Sequence, residues 1–178
     1  AAWSAALQRE TASRRSAWAA GPWFAPPRAY SGGSEDGIVL RAMPGSEHGQ
    51  FSEAARGAFY RERYRIAPAS DRMGCRLEGA PLERLNRAEL LSHGVMPGTV
   101  QVPPGGGPII LAADCQTTGG YPRIAHVASV DMPLLAQAKP GDPIYFQPIT
   151  LEEAQQLDFT SEMGMRELAA SIRTRWPK

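Results

Sequence analysis

Pro108-Ile109-Ile110-Leu111-Ala112-Ala113-Asp114-Cys115-Gln116-Thr117-Thr118-Gly119-Gly120-Tyr121-Pro122-Arg123-Ile124-Ala125-His126-Val127-Ala128-Ser129-Val130 is two apolar runs held apart by a polar loop. Each run is short, rich in aliphatic residues and bounded by Gly or Pro, which reads as a buried strand rather than a helix. Pro108 to Ala113 and Ile124 to Val130 are therefore expected to pair across the loop, although the connection is longer than a tight hairpin. The loop itself gathers an acid, amides, two hydroxyls, a glycine pair, a phenol and a guanidinium, a set able to bind a ligand.

Outward from this stretch, the period-2 signal repeats. Ile38 to Met43, Asp71 to Glu78, Thr99 to Val102 and Ile144 to Ile149 read as further strands, separated by Gly, Pro and Asn punctuation. Arg61, Arg63 and Arg65 alternate with Glu62, Tyr64 and Ile66, which predicts a strand with one basic face. Helices are fewer. Phe51, Ala55, Ala58 and Phe59 fall at helical spacing behind a Ser52 or Gln50 cap, and Asp131 is placed to cap a short helix through Met132-Pro133-Leu134-Leu135. Thr150 and Glu153 form a capping box. Met165, Leu168, Ile172 and Trp176 line one face of a C-terminal helix that ends with Arg173 and Arg175. Many short strands with few helices predict a mainly β fold, a barrel or sandwich decorated with helices.

The expected organisation is an N-terminal helical segment or tail over residues 1–27, a barrel lobe over 28–160 and a C-terminal helix over 161–178. The first part carries Trp3, Leu7 and Trp18 among alanines with a Glu10/Arg14 pair, and Ser31 to Ser34 resembles a linker. A length of 178 residues suits one core. A hydrophobic fraction of 43% with a net charge of +1 argues against disorder and against coating nucleic acid. No apolar run reaches the roughly 20 residues that span a bilayer, so no membrane role is expected. Cys75 and Cys115 lack the spacing of a metal or redox pair and fit reduced thiols in the cytoplasm.

Four stretches then occur in order: Ser70-Asp71-Arg72-Met73-Gly74-Cys75-Arg76-Leu77-Glu78-Gly79, Gly98-Thr99-Val100-Gln101-Val102-Pro103-Pro104, Gly107-Pro108-Ile109-Ile110-Leu111 and Gln116-Thr117-Thr118-Gly119-Gly120-Tyr121-Pro122. Over roughly residues 37–155 they resemble the C-terminal lobe of the KipA family. That family is also described as allophanate hydrolase subunit 2 or biotin-dependent carboxyltransferase-like, and it includes the C subunit of ATP-dependent 5-oxoprolinase. The resemblance implies a cyclophilin-like β-barrel, a KipI-like partner (the B subunit of 5-oxoprolinase), a third subunit, and amide or ureido chemistry. Members carry another lobe before this one, so the chain is read as a fragment or a truncated relative with no independent activity expected. Residues 1–27 lie outside the resemblance.

The loop's side chains suit a planar amide: Gln116 offers donor and acceptor, Thr117 and Thr118 can do either, and Asp114 accepts or acts as base. Asp114, Thr117 and Thr118 are the candidate catalytic residues. Gln101, Gln116, Gly119, Gly120 and Tyr121 are candidate substrate contacts, the glycines because they let the backbone approach a ligand. Arg72 and Arg76, four apart in an extended segment, are candidates to hold a carboxylate from one face. The competing readings stay open: a turn in which the hydroxyls satisfy their own backbone, a core phenol at Tyr121, an exposed Gln101, and arginines paired with Asp71 and Glu78. His48, His93 and His126 have no metal-ligand spacing, and Pro103-Pro104-Gly105-Gly106-Gly107 lacks the Lys-Ser/Thr of a phosphate loop. No metal and no cofactor are expected on this lobe alone. ATP would be used by the assembled complex, or carboxybiotin in a urea carboxylase. A third reading is a non-catalytic regulator that captures a KipI-like kinase inhibitor.

Overall fold

The computed structural model describes residues 37–86 and 90–175. The expected N-terminal helical segment or tail over residues 1–27, the linker at 31–34 and the contribution of Trp176 lie outside the described residues.

Nine strands form among the described residues: β1 (Ile38–Pro44), β2 (Tyr64–Ile66), β3 (Gly74–Glu78), β4 (His93–Gly94), β5 (Thr99–Gln101), β6 (Ile109–Leu111), β7 (Thr118–Gly119), β8 (Arg123–Val127) and β9 (Pro143–Pro148). Seven close into a barrel in the order β1-β8-β5-β6-β3-β2-β9, and β4 and β7 make a separate two-stranded ribbon. The barrel shuts through the parallel pair β1 and β9, with Leu40 opposite Phe146. Closure leaves no open edge among its strands. This is the mainly β, cyclophilin-like barrel that the resemblance implies.

Alternation sets inside from outside. Ile38, Leu40 and Ala42 of β1 are buried while Val39 is exposed, and Ile144 and Phe146 of β9 turn inward between more open neighbours. Helix α1 (Glu53–Arg61) starts at Ser52, whose hydroxyl accepts the Ala55 amide at 3.1 Å, as expected. It buries Phe59 against Phe146, with ring centroids 4.2 Å apart. Helix α2 (Met132–Ala136) packs beside β1, and helix α3 (Leu151–Arg175) follows β9 and touches the Ser129–Asp131 turn, where the Ser129 hydroxyl donates to Asp158 at 2.9 Å.

Four expectations change. The two apolar runs do not pair with each other: β5 lies between them, bonded to β6 on one side and β8 on the other. Nothing local in the sequence encodes that insertion. The Arg61, Arg63 and Arg65 alternation is not one strand, because Arg61 ends α1 and only Arg65 lies in β2. Arg63 sits over the Tyr145 ring at 5.8 Å, and Arg65 donates to the Gly141 carbonyl at 3.0 Å. Asp131 precedes α2 but makes no side-chain cap; its carboxylate takes the Arg41 amide at 2.8 Å and Nε at 2.9 Å instead. The C-terminal helix begins at Leu151 behind a formed Thr150/Glu153 capping box, so residue 161 marks no break, and Met165 on its apolar face is 60% exposed.

Candidate functional site: the loop between β6 and β8

Asp114 leaves β6 under close backbone control. Its amide donates to the Arg72 carbonyl at 3.2 Å, and the Ala112 amide to that of Met73 at 3.0 Å. Arg72 Nε lies 3.5 Å from Asp114 Oδ2, with both side chains open to water. An exposed pair of this length contributes little stability, so the guanidinium and the carboxylate remain available to a ligand. They stand at the edge of a cleft of about 710 Å³ whose walls include Cys75, Ser129, Met132 and Leu135.

Arg76 does not join them. Asp71 Oδ1 accepts the Met73 and Gly74 amides at 2.8 and 3.0 Å, an Asx turn that bends the chain before β3. Arg72 therefore lies before the strand, whereas Arg76 lies on its outer face, away from the cleft's lining. The equal-face spacing expected of an extended 71–78 segment fails at this turn.

Beyond Asp114 the loop rises as the β4/β7 ribbon, with His93 opposite Gly119 and Gly94 opposite Thr118. The Val95 amide extends it by donating to the Thr117 carbonyl at 2.9 Å. Gln116, Thr117 and Thr118 are exposed. Successive strand side chains leave on opposite faces, so the two threonines do not present one joint surface.

Gln101, at the end of β5, lies under this ribbon and is only 2% exposed. Its Nε2 donates to the Tyr121 carbonyl at 3.4 Å. A Cβ on Gly119 would come within 2.5 Å of that Nε2, so this glycine serves close packing on Gln101. Gly120 is half-buried beside the Leu90 carbonyl, and the Tyr121 ring is 48% exposed. The structure thus brings Gln101, Gly119 and Tyr121 together, and separately Arg72 with Asp114.

Two residues with strong roles carried no signal in the sequence. Glu47, in a polar turn after β1, grips Arg123 through Nε and Nη2, each at 2.6 Å, and accepts its amide at 3.1 Å. Those hydrogen bonds hold the Glu47 carboxyl below its ordinary range. Arg41 is the other, through its pair with the buried Asp131. His126 lies half-buried, its Nδ1 3.4 Å from the Thr99 hydroxyl, and burial lowers its basicity. Burial likewise pushes the Cys75 thiol up to about 11, which keeps it protonated and unreactive. Among the described residues no three His, Cys, Asp or Glu side chains gather in a way that could hold a metal ion.

Comparison with known proteins adds the following. The family model for the carboxyltransferase domain, subdomains A and B, matches residues 5–148, and so takes in much of the N-terminal segment that the four motifs left aside. The C subunit of 5-oxoprolinase from Escherichia coli (strain K12) is 51% identical over 133 residues, covering 75% of this chain and 43% of that protein. Its namesake from Haemophilus influenzae is 43% identical over 130 residues, covering 73% and 42%. The chain thus spans less than half the length of these relatives. The urea amidolyase of Lachancea kluyveri is 28% identical over 120 residues, 62% of this chain and 6% of that one. Among solved structures, K. lactis urea amidolyase superposes with a TM-score of 0.66 over 70% of this chain and 8% of its own, and at 22% identity it speaks to the fold.

Proposed function

The chain belongs to the carboxyltransferase domain family, and on that premise we propose that it is the barrel-bearing part of a KipA-like subunit of an ATP-dependent 5-oxoprolinase. The observation that carries this reading is the 51% identity to the C subunit of 5-oxoprolinase across three quarters of the chain. The reaction opens the lactam of 5-oxoproline to glutamate. Arg72 would hold the substrate carboxylate as a charge-assisted fork. Asp114 would take a proton from the attacking water as the lactam C–N bond breaks and the leaving nitrogen gains a proton. Gln116 and one of the two threonine hydroxyls would supply hydrogen bonds to the amide, while Gln101 shapes the loop from beneath. ATP would be handled by the assembly, with a KipI-like subunit and a third one. Two free thiols suit a reducing, cytoplasmic setting, and among the described residues no helix is long and apolar enough to cross a membrane.

A second reading is carboxyl transfer in a urea carboxylase, favoured by the matched family model and by the likeness to urea amidolyase. The mainly apolar cleft with a guanidinium at its edge suits the ring and carboxylate of carboxybiotin. Bound there, carboxybiotin would supply an activated carboxyl group, and Arg72 would orient it.

The test is co-expression of this chain, with whatever precedes it in its reading frame, alongside a KipI-like and a third subunit. ATP-dependent glutamate release from 5-oxoproline supports the first reading. A well-formed complex that releases none, but carboxylates urea from carboxybiotin, supports the second.

A further inference from the structure

The β4/β7 ribbon hangs outside the barrel, and its own ladder is only two residues long on each side. So short a ladder does not set its own position. Beside the Gln101 bond to the Tyr121 carbonyl, a side-chain tie comes from Arg123, at the first position of β8. Its Nε and Nη2 take both oxygens of Glu47, and its Nη1 reaches over to donate to the Gly94 carbonyl at 3.2 Å. Gly94 is the register partner of Thr118. One guanidinium therefore links the turn after β1, the start of β8 and the ribbon.

The turn is built to present Glu47. The Gly45 amide donates to the Ile124 carbonyl at 2.9 Å and the Glu47 amide to the Arg123 carbonyl at 3.2 Å. A Cβ on Gly45 would lie 2.4 Å from that same Arg123 carbonyl oxygen, so the turn can wrap β8 only with glycine there. Glu47 and Arg123 side chains are largely shielded, at 13% and 21% exposure, and a shielded bidentate pair is far more rigid than a surface one. The Arg123 fork is thus already occupied by protein groups.

We propose that Glu47 and Arg123 are positioning residues which hold the His93–Gly94 and Thr118–Gly119 ribbon, and with it the Thr117 and Thr118 hydroxyls, at a set height over Gln101. The pair acts on ligand binding through the ribbon rather than by touching a ligand. The ligand side of this inference rests on the reading of the loop as a substrate site; the mechanical side does not.

Hydrogen exchange on the folded chain tests the mechanical side. Glu47→Gln keeps the shape and removes the charge. It is expected to speed exchange about tenfold in peptides covering 93–96 and 117–121, with the barrel peptides over 38–42 and 143–148 unchanged. The swapped pair Glu47→Arg with Arg123→Glu keeps an ion pair but leaves no donor for the Gly94 carbonyl, so exchange in the ribbon should stay fast. Arg123→Lys, which retains the charge but loses the fork, should speed the 93–96 and 117–121 peptides together and serves if Glu47→Gln fails to fold. Ribbon exchange that stays at the wild-type rate, or rises equally everywhere, overturns the proposal. In an assembly that turns over 5-oxoproline, Glu47→Gln should raise KM about tenfold with little change in kcat, since misplacement of a binding group by a fraction of an ångström costs on this scale. Faster ribbon exchange with an unmoved KM would uphold the clamp and reject the loop as the substrate site.

Discussion

Gln101 lies directly beneath Gly119, its side-chain Nε2 2.5 Å from where a Cβ would stand and 3.4 Å from the Tyr121 carbonyl. Gly119→Ala therefore forces the buried amide aside and breaks its bond to the loop, at a cost of about 1–3 kcal/mol as an overpacking change. Because both residues act on one contact, Gln101→Ala should relieve most of that penalty. A double-mutant cycle by urea unfolding checks this: strong coupling is expected, and simple additivity would show that the two do not share the contact.

The Arg41 and Asp131 pair should matter for stability more than the other ion pairs described. Asp131 is 1% exposed and holds both the guanidinium and the backbone amide of Arg41. Asp131→Ala strands a charge that is one third open to water, so a loss of about 3 kcal/mol is expected, at the low end for breaking a buried pair. Chemical denaturation reads it directly. Arg72→Ala, which removes an exposed pair, should change stability by less than about 1 kcal/mol.

Tyr64 has a fully buried ring whose hydroxyl finds no hydrogen-bond partner among the described residues, and burial pushes its pKa up to about 12. Tyr64→Phe removes an unsatisfied polar group without changing the packing of the ring on Phe146. Stability should rise by about 1 kcal/mol. A fall in melting temperature would mean that the hydroxyl is bonded.

Acid should destabilise the fold in two stages. Burial, aided by Arg56, lowers the basicity of His48, and burial lowers that of His126. Their unfolded forms take up protons near the ordinary value of 6.5 while the folded forms do not, so stability is full above that pH and declines below it. Glu47, held below its ordinary 4.5 by Arg123, adds stability above that value which is lost as pH falls through its depressed folded pKa. Thermal melts from about pH 8 to about pH 3 should show both stages, and Glu47→Gln should abolish the lower one.

The two thiols should differ in reactivity. Cys75 is buried and its pKa is raised, whereas Cys115 is partly open. Titration of the native chain with a thiol reagent at about pH 8 should consume one equivalent quickly and the second only on unfolding.

Much of the barrel was legible where strands alternate around a common interior: Ile38, Leu40 and Ala42 of β1, or Ile144 and Phe146 of β9, announce their faces locally, whereas β5 is buried throughout. The insertion of β5 between β6 and β8 was not, since register partners such as Val100 with Ile110 and Ala125 are chosen by the closed sheet. The same holds for side chains claimed by distant partners. Asp131 has the position of a cap, but Arg41, 90 residues earlier, takes its carboxylate. Glu47 sits in an unpatterned turn and acquires a role only when Arg123 folds against it. In the site, the polar loop was visible as composition, whereas the turn at Asp71 that separates Arg72 from Arg76, and the burial of Gln101 under Gly119, depend on three-dimensional packing.

Asp114, at the edge of the cleft beside Arg72, is the group on which the proposed lactam opening chiefly depends. The most direct measurement is ATP-dependent glutamate release by the assembled complex carrying Asp114→Asn, with assembly confirmed by size and subunit ratio. A fall in kcat of about 100-fold or more, as expected for removal of a positioned general base, is the predicted result. A complex that assembles and turns over 5-oxoproline at the wild-type rate would contradict it.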